Sequence, residues 1–197
     1  MDVGVLYSGG KDSTLAALLL EPFYDVTVVC CTFGVTDEYQ HAMDTAARVD
    51  LPAQSIELGR EIAETAATQI VEDGYPRNGI QYVHEKVLEA VAEQTSFDAI
   101  ADGTRRDDRV PTVGRPLAQS VEDRFDVSYL SPLAGYGRQA IDALVEELLL
   151  VESGPSDEIP KGDYETEIRA LLTEKHSSEL VEEVFPEHYQ SRVLNRK

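Results

Sequence analysis

The residues of this chain that could do chemistry concentrate in two short stretches. Near the N-terminus, Ser8-Gly-Gly-Lys-Asp-Ser13 packs two glycines, an ammonium, a carboxylate and two hydroxyls together. Glycine permits positive φ and lets backbone N–H groups approach a ligand without Cβ interference. A helix starting beside Lys11 adds the positive end of its dipole, and Lys11 adds a full charge. Ser8 and Ser13 supply hydroxyl donors, while Asp12 can hold Mg²⁺ beside phosphate oxygens. This is equipment for a polyphosphate. The spacing is neither the Walker Gly-x-x-x-x-Gly-Lys-Ser/Thr nor the dinucleotide Gly-x-Gly-x-x-Gly. The plain alternative is a Gly-Gly turn with Asp12 as a charge at a helix N-terminus.

The second stretch is Asp102-Gly-Thr-Arg-Arg-Asp-Asp108. A carboxylate pair there could complete a Mg²⁺ shell, and Arg105 or Arg106 could neutralise charge developing on phosphate. A solvated turn with local Arg–Asp pairs, worth little energetically, would read the same way. Other reactive residues are sparse. Cys30 and Cys31 are the only cysteines, which excludes a disulfide framework, an iron–sulfur cluster or a structural zinc site. Strand alternation sends them to opposite faces, so at most one reaches a ligand edge, and free Cys is commonly a small buried hydrophobe. His41, His84, His176 and His188 show no metal spacing and read as surface or capping residues.

Positioning these groups requires alternating strands and helices. Strands are expected over 3–7, 25–33, 53–58, 97–101 and 127–130, from β-branched runs closed by turn residues. Helices are expected over 11–20, 37–49, 60–73, 79–94, 116–123 and 138–150, the last strongly amphipathic. Residues 152–162 form the one linker by composition, and two short helices follow over 163–175 and 178–184. The expected fold is α/β: a doubly wound, five-stranded parallel sheet with a short helical C-terminal extension. The expected domains are 1–152 and 153–197. Ligands of such sheets sit at the carboxyl ends of strands near the switch in strand order. That rule selects 8–13, 30–34 and 102–109.

In this context the first hexad resembles the pyrophosphate loop of the PP-loop ATP pyrophosphatase superfamily, which includes NAD synthetase and tRNA-thiolating enzymes. The resemblance covers about residues 1–150 and implies a Rossmann-like, adenine nucleotide alpha hydrolase-like fold. It implies cleavage of ATP between the α and β phosphates, adenylation of a substrate oxygen, and displacement of AMP by nitrogen or sulfur. Carried over, Ser8, Gly9, Gly10, Lys11 and Ser13 hold the β and γ phosphates. Asp12 with Asp107 or Asp108 ligates Mg²⁺, and Thr32 and Phe33 contact the nucleobase. The second stretch resembles the Asp-Gly-Thr-Asn-x-Asp-Asp segment of ATP-dependent sacrificial sulfur transferases. That likeness extends to Arg115-Pro116, Ser131-Pro132-Leu133 and the helix at 138–150, and it adds Gly103, Thr104 and Arg105 to the ATP site.

Departures matter as much. Thiolating relatives carry Cys-x-x-Cys where this chain has Asn78 and Gln81, after an Arg77 that remains a ligand for ATP or an anionic substrate. The C-terminal half has no cysteine. The implied reaction is therefore adenylation of a tRNA base in a thiolation-type modification, with sulfur from an external carrier protein. Alternatives are an ammonia-dependent amide-forming ligase on a small acid and a non-catalytic nucleotide-binding subunit. A homodimer is also expected.

Charge bounds these readings. The 197 residues carry 37 Asp and Glu against 17 Lys and Arg, a formal net charge of −20. The acid forms no single block, and only Lys11, Lys86, Lys161, Lys175 and Lys197 are lysines. Such a surface suits a protein dissolved in molar salt, which screens the repulsion. Total charge opposes a phosphate-rich partner. Lys11, Arg77, Arg105, Arg106, Arg109 and Arg115 nevertheless fall around the expected site. No apolar run approaches the ~20 residues that span a bilayer, and no signal-peptide pattern is present. A cytoplasmic protein without a membrane partner is expected. The tail holds Gly162-Asp-Tyr-Glu165 and a basic end with His188, Gln190, Arg192, Arg196 and Lys197, read either as a docking strand or frayed end or as an RNA or substrate contact.

Overall fold

The computed structural model describes residues 1–156 and 158–197. In chain order the main elements are β1 (Asp2–Leu6), α1 (Lys11–Leu20), β2 (Asp25–Thr32), α2 (Tyr39–Arg48), β3 (Ala53–Glu57), α3 (Arg60–Asp73), α4 (Arg77–Gln94) and β4 (Ala99–Ala101). They continue with α5 (Arg115–Phe125), β5 (Ser128–Leu130), α6 (Arg138–Leu148), β6 (Leu149–Pro155), α7 (Tyr164–Lys175), α8 (Ser178–Val184) and β7 (Tyr189–Arg196). Strands β1 to β5 form one parallel sheet in the order β3-β2-β1-β4-β5. The expected doubly wound fold is the fold observed.

Strand chemistry explains the sheet. β1 and β2 are built from Val3, Val5, Val26, Thr27, Val28 and Val29, whose stiff χ1 angles suit a pleated surface covered on both faces. The chain runs outward from β1 to β3, then returns to place β4 on the other side of β1. The carboxyl ends of β1 and β4 thus flank the switch point, where a crevice opens. Tyr7 to Ser13 leave β1 there, and Asp102 to Asp108 leave β4 there.

Each face of the sheet has its own apolar layer. Val3, Val5, Leu15, Ala46, Ile141 and Val193 pack on the side of α1, α2 and α6. Leu6, Ile70, Val87, Val121, Leu172 and Val184 pack on the side of α3, α4, α5, α7 and α8. Among the described residues no helix is long and apolar enough to cross a membrane.

The C-terminal third differs from expectation. α6 ends at Leu148, and the stretch read as a linker begins inside β6, which pairs antiparallel with β7 through Val151↔Val193 and Ser153↔Ser191. Gly154 and Pro155 hide the strand period in the sequence. In the fold, a Cβ on Gly154 would lie 3.1 Å from Ile159 Cδ1, and Pro155 sits at a strand end where a missing donor is tolerated. The expected boundary after residue 152 falls within β6. α7 and α8 match the two expected helices, and the tail is the docking strand: Val193 is fully buried, and its N–H donates to Gly9 O at 3.0 Å. Arg196 clamps Glu21 through two bonds of 2.7 and 3.0 Å.

Burying Val193 is worth about 2 kcal/mol, and a carboxylate there would lose that and add desolvation. Val193→Asp should therefore destabilise the protein by at least about 3 kcal/mol in denaturant unfolding. The exposed Asn195→Asp should stay within about 0.5 kcal/mol.

Candidate functional site

The turn after β1 is built for close approach to its α1 helix. Gly9 adopts φ +76, a left-handed conformation that disfavours any side chain. Gly10 is the N-cap of α1, with no side chain to occupy the first-turn N–H groups. Its carbonyl accepts Thr14 Oγ1 at 2.8 Å and Ser13 Oγ at 3.2 Å, and Ser13 Oγ lies 3.4 Å from Ser8 Oγ. Lys11 Nζ lies 2.7 Å from Asp12 Oδ1.

The segment after β4 is pressed onto this turn. A Cβ on Gly103 would lie 2.7 Å from Ser13 N, 2.8 Å from Ser13 Cα and 2.9 Å from the Asp12 carbonyl carbon, so only glycine fits. Thr104 donates its N–H and its hydroxyl to Asp102 Oδ1 at 2.9 and 2.6 Å. Arg105 donates its backbone N–H to Asp108 Oδ2 at 2.8 Å and two guanidinium N–H groups to Asp108 Oδ1 at 3.1 and 2.9 Å. The same guanidinium lies 3.9 Å from Asp12 Oδ2 and 3.8 Å from Asp107 Oδ1. Burial pulls the Arg105 pKa down, but the Asp108 hydrogen bonds and the three carboxylate charges outweigh it and raise it.

Asp12 and Asp108, from two parts of the chain, thus converge on the Arg105 guanidinium beside the β1–α1 turn. Hard oxygen donors of this kind suit Mg²⁺, which takes one or two carboxylates and fills its shell with phosphate oxygens and water. Asp107 lies outward, with its side chain 46% exposed. Among the described residues no group of three or more His, Cys, Asp or Glu is arranged to hold a metal ion.

A cavity of about 670 Å³ opens above these groups. Ser8, Gly10 to Ser13 and Asp102 to Arg105 form its polar floor. Leu6, Val29 and Cys31 on the sheet and Ile80 and Val87 on α4 form an apolar side. The third wall comes from 161–165 and 188–191 of the C-terminal segment, the stretches read from sequence as a docking strand or frayed end, or as an RNA or substrate contact. Gly162 donates its N–H to Ser8 O at 3.3 Å, and a Cβ on it would meet Ala42 Cβ at 2.8 Å. Lys161 Nζ pairs with Asp163 Oδ2 at 2.6 Å, and Asp163 caps α7 through Thr166. Burial opposes the Asp163 charge, yet Lys161 and the Thr166 bonds hold its pKa below the usual carboxylate range.

Five expected ligands, Gly9, Thr32, Phe33, Arg77 and Asp107, lie outside the cavity lining. Thr32 and Phe33 are buried, and Glu167 from α7 accepts the N–H groups of Phe33 and Val35 at 3.1 and 3.0 Å. The end of β2 is thereby covered by α7, and Cys31 faces the cavity instead. Arg77 opens α4 and is exposed, while its neighbours Tyr75, Pro76 and Ile80 line the cavity. Asn78 donates to Asp73, and Gln81 ties α4 to the loop through two 2.9 Å bonds with Thr112. The cysteines fall on opposite faces, as alternation requires, and burial pushes the Cys30 thiol up to about 12 and the Cys31 thiol higher still.

His84 is the other correction. It is 4% exposed rather than a surface residue, with Nε2 2.8 Å from Asp102 Oδ2 and Nδ1 2.9 Å from the Tyr164 hydroxyl. Tyr129 donates its hydroxyl to Asp102 Oδ2 at 3.0 Å. Burial raises the Asp102 pKa, but the His84 and Thr104 contacts more than offset that and lower it. A signal was present in the sequence: His84 falls on the apolar stripe of Ile80, Val83, Val87, Leu88 and Val91, which marks the buried face of α4.

The chain belongs to the family of unknown function DUF7411, which it matches over residues 1–195. It is 43% identical to the uncharacterized protein MJ0690 of Methanocaldococcus jannaschii, over 100% of this chain and 97% of that one. A crystal structure described as a predicted subunit of tRNA methyltransferase from the same organism superposes with TM-score 0.90 at 42% identity, covering 100% of this chain and 98% of that chain. The U34-tRNA thiolase NcsA of Methanococcus maripaludis, solved with its [4Fe-4S] cluster, shares the fold. Its TM-score is 0.51 at 17% identity, over 92% of this chain and 70% of that chain.

Two outcomes follow from this geometry. Gly103→Ala should cost about 1–3 kcal/mol by overpacking the start of α1, whereas Gly135→Ala, with open space around it, should be near neutral in the same unfolding series. Because Asp102 and Asp163 have depressed folded pKa values, their stabilisation is present above about pH 4 and is lost as pH falls through the folded values. The Tm of wild type should fall with acidification in that window, and less steeply in Asp102→Asn and Asp163→Asn.

Proposed function

We propose that this chain binds ATP at the β1–α1 turn, cleaves it to AMP and pyrophosphate, and adenylates an oxygen of a tRNA nucleoside. The observation carrying this reading is the backbone contact of Gly103 with Asp12 and Ser13, which joins the two charged stretches into one anion-binding floor. Ser8, Gly9, Gly10, Lys11 and Ser13 hold the β and γ phosphates. Asp12 and Asp108 would hold Mg²⁺, with Asp107 at the rim; the ion would supply charge neutralisation on the phosphates. Lys11 and Arg105 add fixed positive charge where pyrophosphate departs. Catalysis of this kind is positioning and electrostatics, with no covalent enzyme nucleophile. Both thiols are buried and protonated, so the group that displaces AMP comes from outside the chain.

A nucleic-acid acceptor is favoured by the cations left over. Most basic side chains are consumed by acidic partners, as in Arg60–Glu174, Arg124–Glu89 and Arg192–Glu152. Arg77, Arg106, Arg109 and Arg115 have neither an ion pair nor a hydrogen bond from their side chains among the described residues, and all four are exposed. Arg77 follows Pro76, and Arg109 lies between Asp108 and Val110, all three of which line the cavity. Gln81 ties their loop to α4, and Arg106 Nη2 comes 3.5 Å from the position of a Cβ on Gly137. Exposed Tyr75 and Tyr189 line the same cavity, and such aromatic faces stack on unpaired bases. The tRNA link of the M. jannaschii relative agrees with this surface.

Pyrophosphate release from ATP and MgCl₂, measured with and without total tRNA, tests the reading. Release should require tRNA and fall at least about 100-fold in Lys11→Met and Asp12→Asn, the scale of a lost electrostatic stabiliser. ATP binding without turnover under any of these conditions would favour a nucleotide-binding subunit instead. Arg106→Glu with Arg109→Glu should weaken tRNA binding and reduce the slope of log K against log[KCl] by about 1.4, as for two lost single-strand phosphate contacts.

A further inference from the structure

Arg105 stands where the proposed function needs a metal ion. Asp108 Oδ2 accepts its backbone N–H at 2.8 Å, and Asp108 Oδ1 accepts two of its guanidinium N–H groups at 3.1 and 2.9 Å. The same guanidinium lies 3.9 Å from Asp12 Oδ2, and Lys11 Nζ lies 2.7 Å from Asp12 Oδ1. Every oxygen of the two carboxylates thus faces a donor of the chain itself. These contacts are charge-assisted, and the Arg105 and Asp108 side chains are only 21% and 23% exposed. The other charged groups on the cavity wall are engaged elsewhere: Lys161 with Asp163, Arg138 with Asp142, Asp102 with His84, and Glu165 with Arg169 and His188. Among the described residues, Arg105 is the only cation paired with Asp108. Backbone contacts hold this turn independently of the guanidinium, because Asp108 N–H also donates to Arg105 O at 3.2 Å. The arginine head can therefore leave without carrying Asp108 away.

We infer that Arg105 is a resident cation: it keeps the Asp12–Asp108 pair from free divalent ions and yields it only when a polyphosphate lies on the β1–α1 turn. This rests on the nucleotide-binding part of the proposed function and names the residue that sets the order in which metal and nucleotide bind. Two positive groups on one carboxylate pair would stand within about 4 Å and repel, so the guanidinium must move before an ion can enter. Moving forfeits its charge-assisted bonds unless other anionic oxygens replace them. Phosphate oxygens are such acceptors, because they match a planar guanidinium as well as a carboxylate does. Arg105 lines the same cavity as Ser8 and Gly10 to Ser13, so its head exchanges one set of oxygens for another without leaving the site. In the free protein it neutralises carboxylates that would otherwise repel an incoming nucleotide. In the complex it neutralises phosphate. Metal and nucleotide thus bind with positive coupling, each raising the affinity of the other by the same factor.

Mn²⁺ serves as the probe for Mg²⁺, because its unpaired electrons let electron paramagnetic resonance count the free ion. The full-length protein is titrated with MnCl₂ in molar KCl, which suppresses loose binding to the acidic surface. Without nucleotide, Arg105→Gln should bind Mn²⁺ at least about 10-fold more tightly than wild type, the scale of one lost charge-assisted competitor. Arg105→Lys, which keeps the charge, should restore wild-type exclusion, a rescue that a purely structural role for the guanidinium does not predict. Adding Asp108→Asn to Arg105→Gln should abolish the gain. Arg124→Gln, an equal charge change at a surface pair with Glu89, should show none. Equal Mn²⁺ affinity in wild type and Arg105→Gln overturns the inference, as does a gain that survives Asp108→Asn or appears equally in Arg124→Gln. Equilibrium dialysis with [α-³²P]ATP separates this from failure of the reading beneath it. Wild type should retain ATP at least about 10-fold more tightly with MgCl₂ than with EDTA. ATP retained by wild type, with Mn²⁺ affinity unchanged in Arg105→Gln, removes only the resident-cation role. No ATP retained in either condition sinks the nucleotide-binding reading and the inference with it.

Discussion

A carboxylate that is 1% exposed must be matched by donors or expelled, and Asp102 is matched on every side. Its own loop supplies the Thr104 N–H and hydroxyl, β5 supplies Tyr129, and α4 supplies His84. Through His84 the same carboxylate engages Tyr164 and therefore α7. Three separate elements, β5, α4 and α7, are thus held to the end of β4 by one charge. That fixes the next residue, Gly103, against α1, and with it the alignment of the Arg105 cluster over the phosphate turn. Removing a single partner from such a network strands a buried charge, which costs more than any one of the bonds contributes.

The site is a joint product of both ends of the chain. The parallel sheet supplies the floor at its switch point, as doubly wound folds do, but the floor alone would be an open shelf. The 161–165 segment and the β6–β7 pair raise the remaining wall, and Gly162 and Val193 bind the backbone of Ser8 and Gly9 directly. Charge is partitioned in the same spirit. A chain of net charge −20 neutralises most of its cations internally, and among the described residues the exposed Arg77, Arg106, Arg109 and Arg115 have no ion pair.

What could be read from sequence divides along a physical line. β1, β2 and the glycine turn were legible because local signals agree: β-branched runs, a breaker, then an apolar helix-forming stretch. The second stretch was legible because Asp102 to Asp108 follow a strand end. β6 and β7 were obscured because their partner lies far away in sequence, and a strand defined by a distant partner leaves only a blurred period once Gly154 and Pro155 interrupt it. Thr32 and Phe33 were expected to face a ligand, but whether a strand end is open depends on what packs over it. Here that is Glu167, more than a hundred residues downstream. His84 shows the same limit at one residue: its place on an apolar stripe signals burial, while its partners on β4 and α7 are a matter of tertiary structure.

The hydrogen bond from Val193 to Gly9 also imposes an order in time. A ribosome delivers the phosphate turn among the first residues and β7 long afterwards. During synthesis the early part of the sheet can assemble, yet Gly9 lacks its brace and the cavity its third wall. The cavity is therefore complete only when the last strand has been made. A chain cut short upstream of β7 would carry every residue of the Ser8–Ser13 signature and still present an unfinished site.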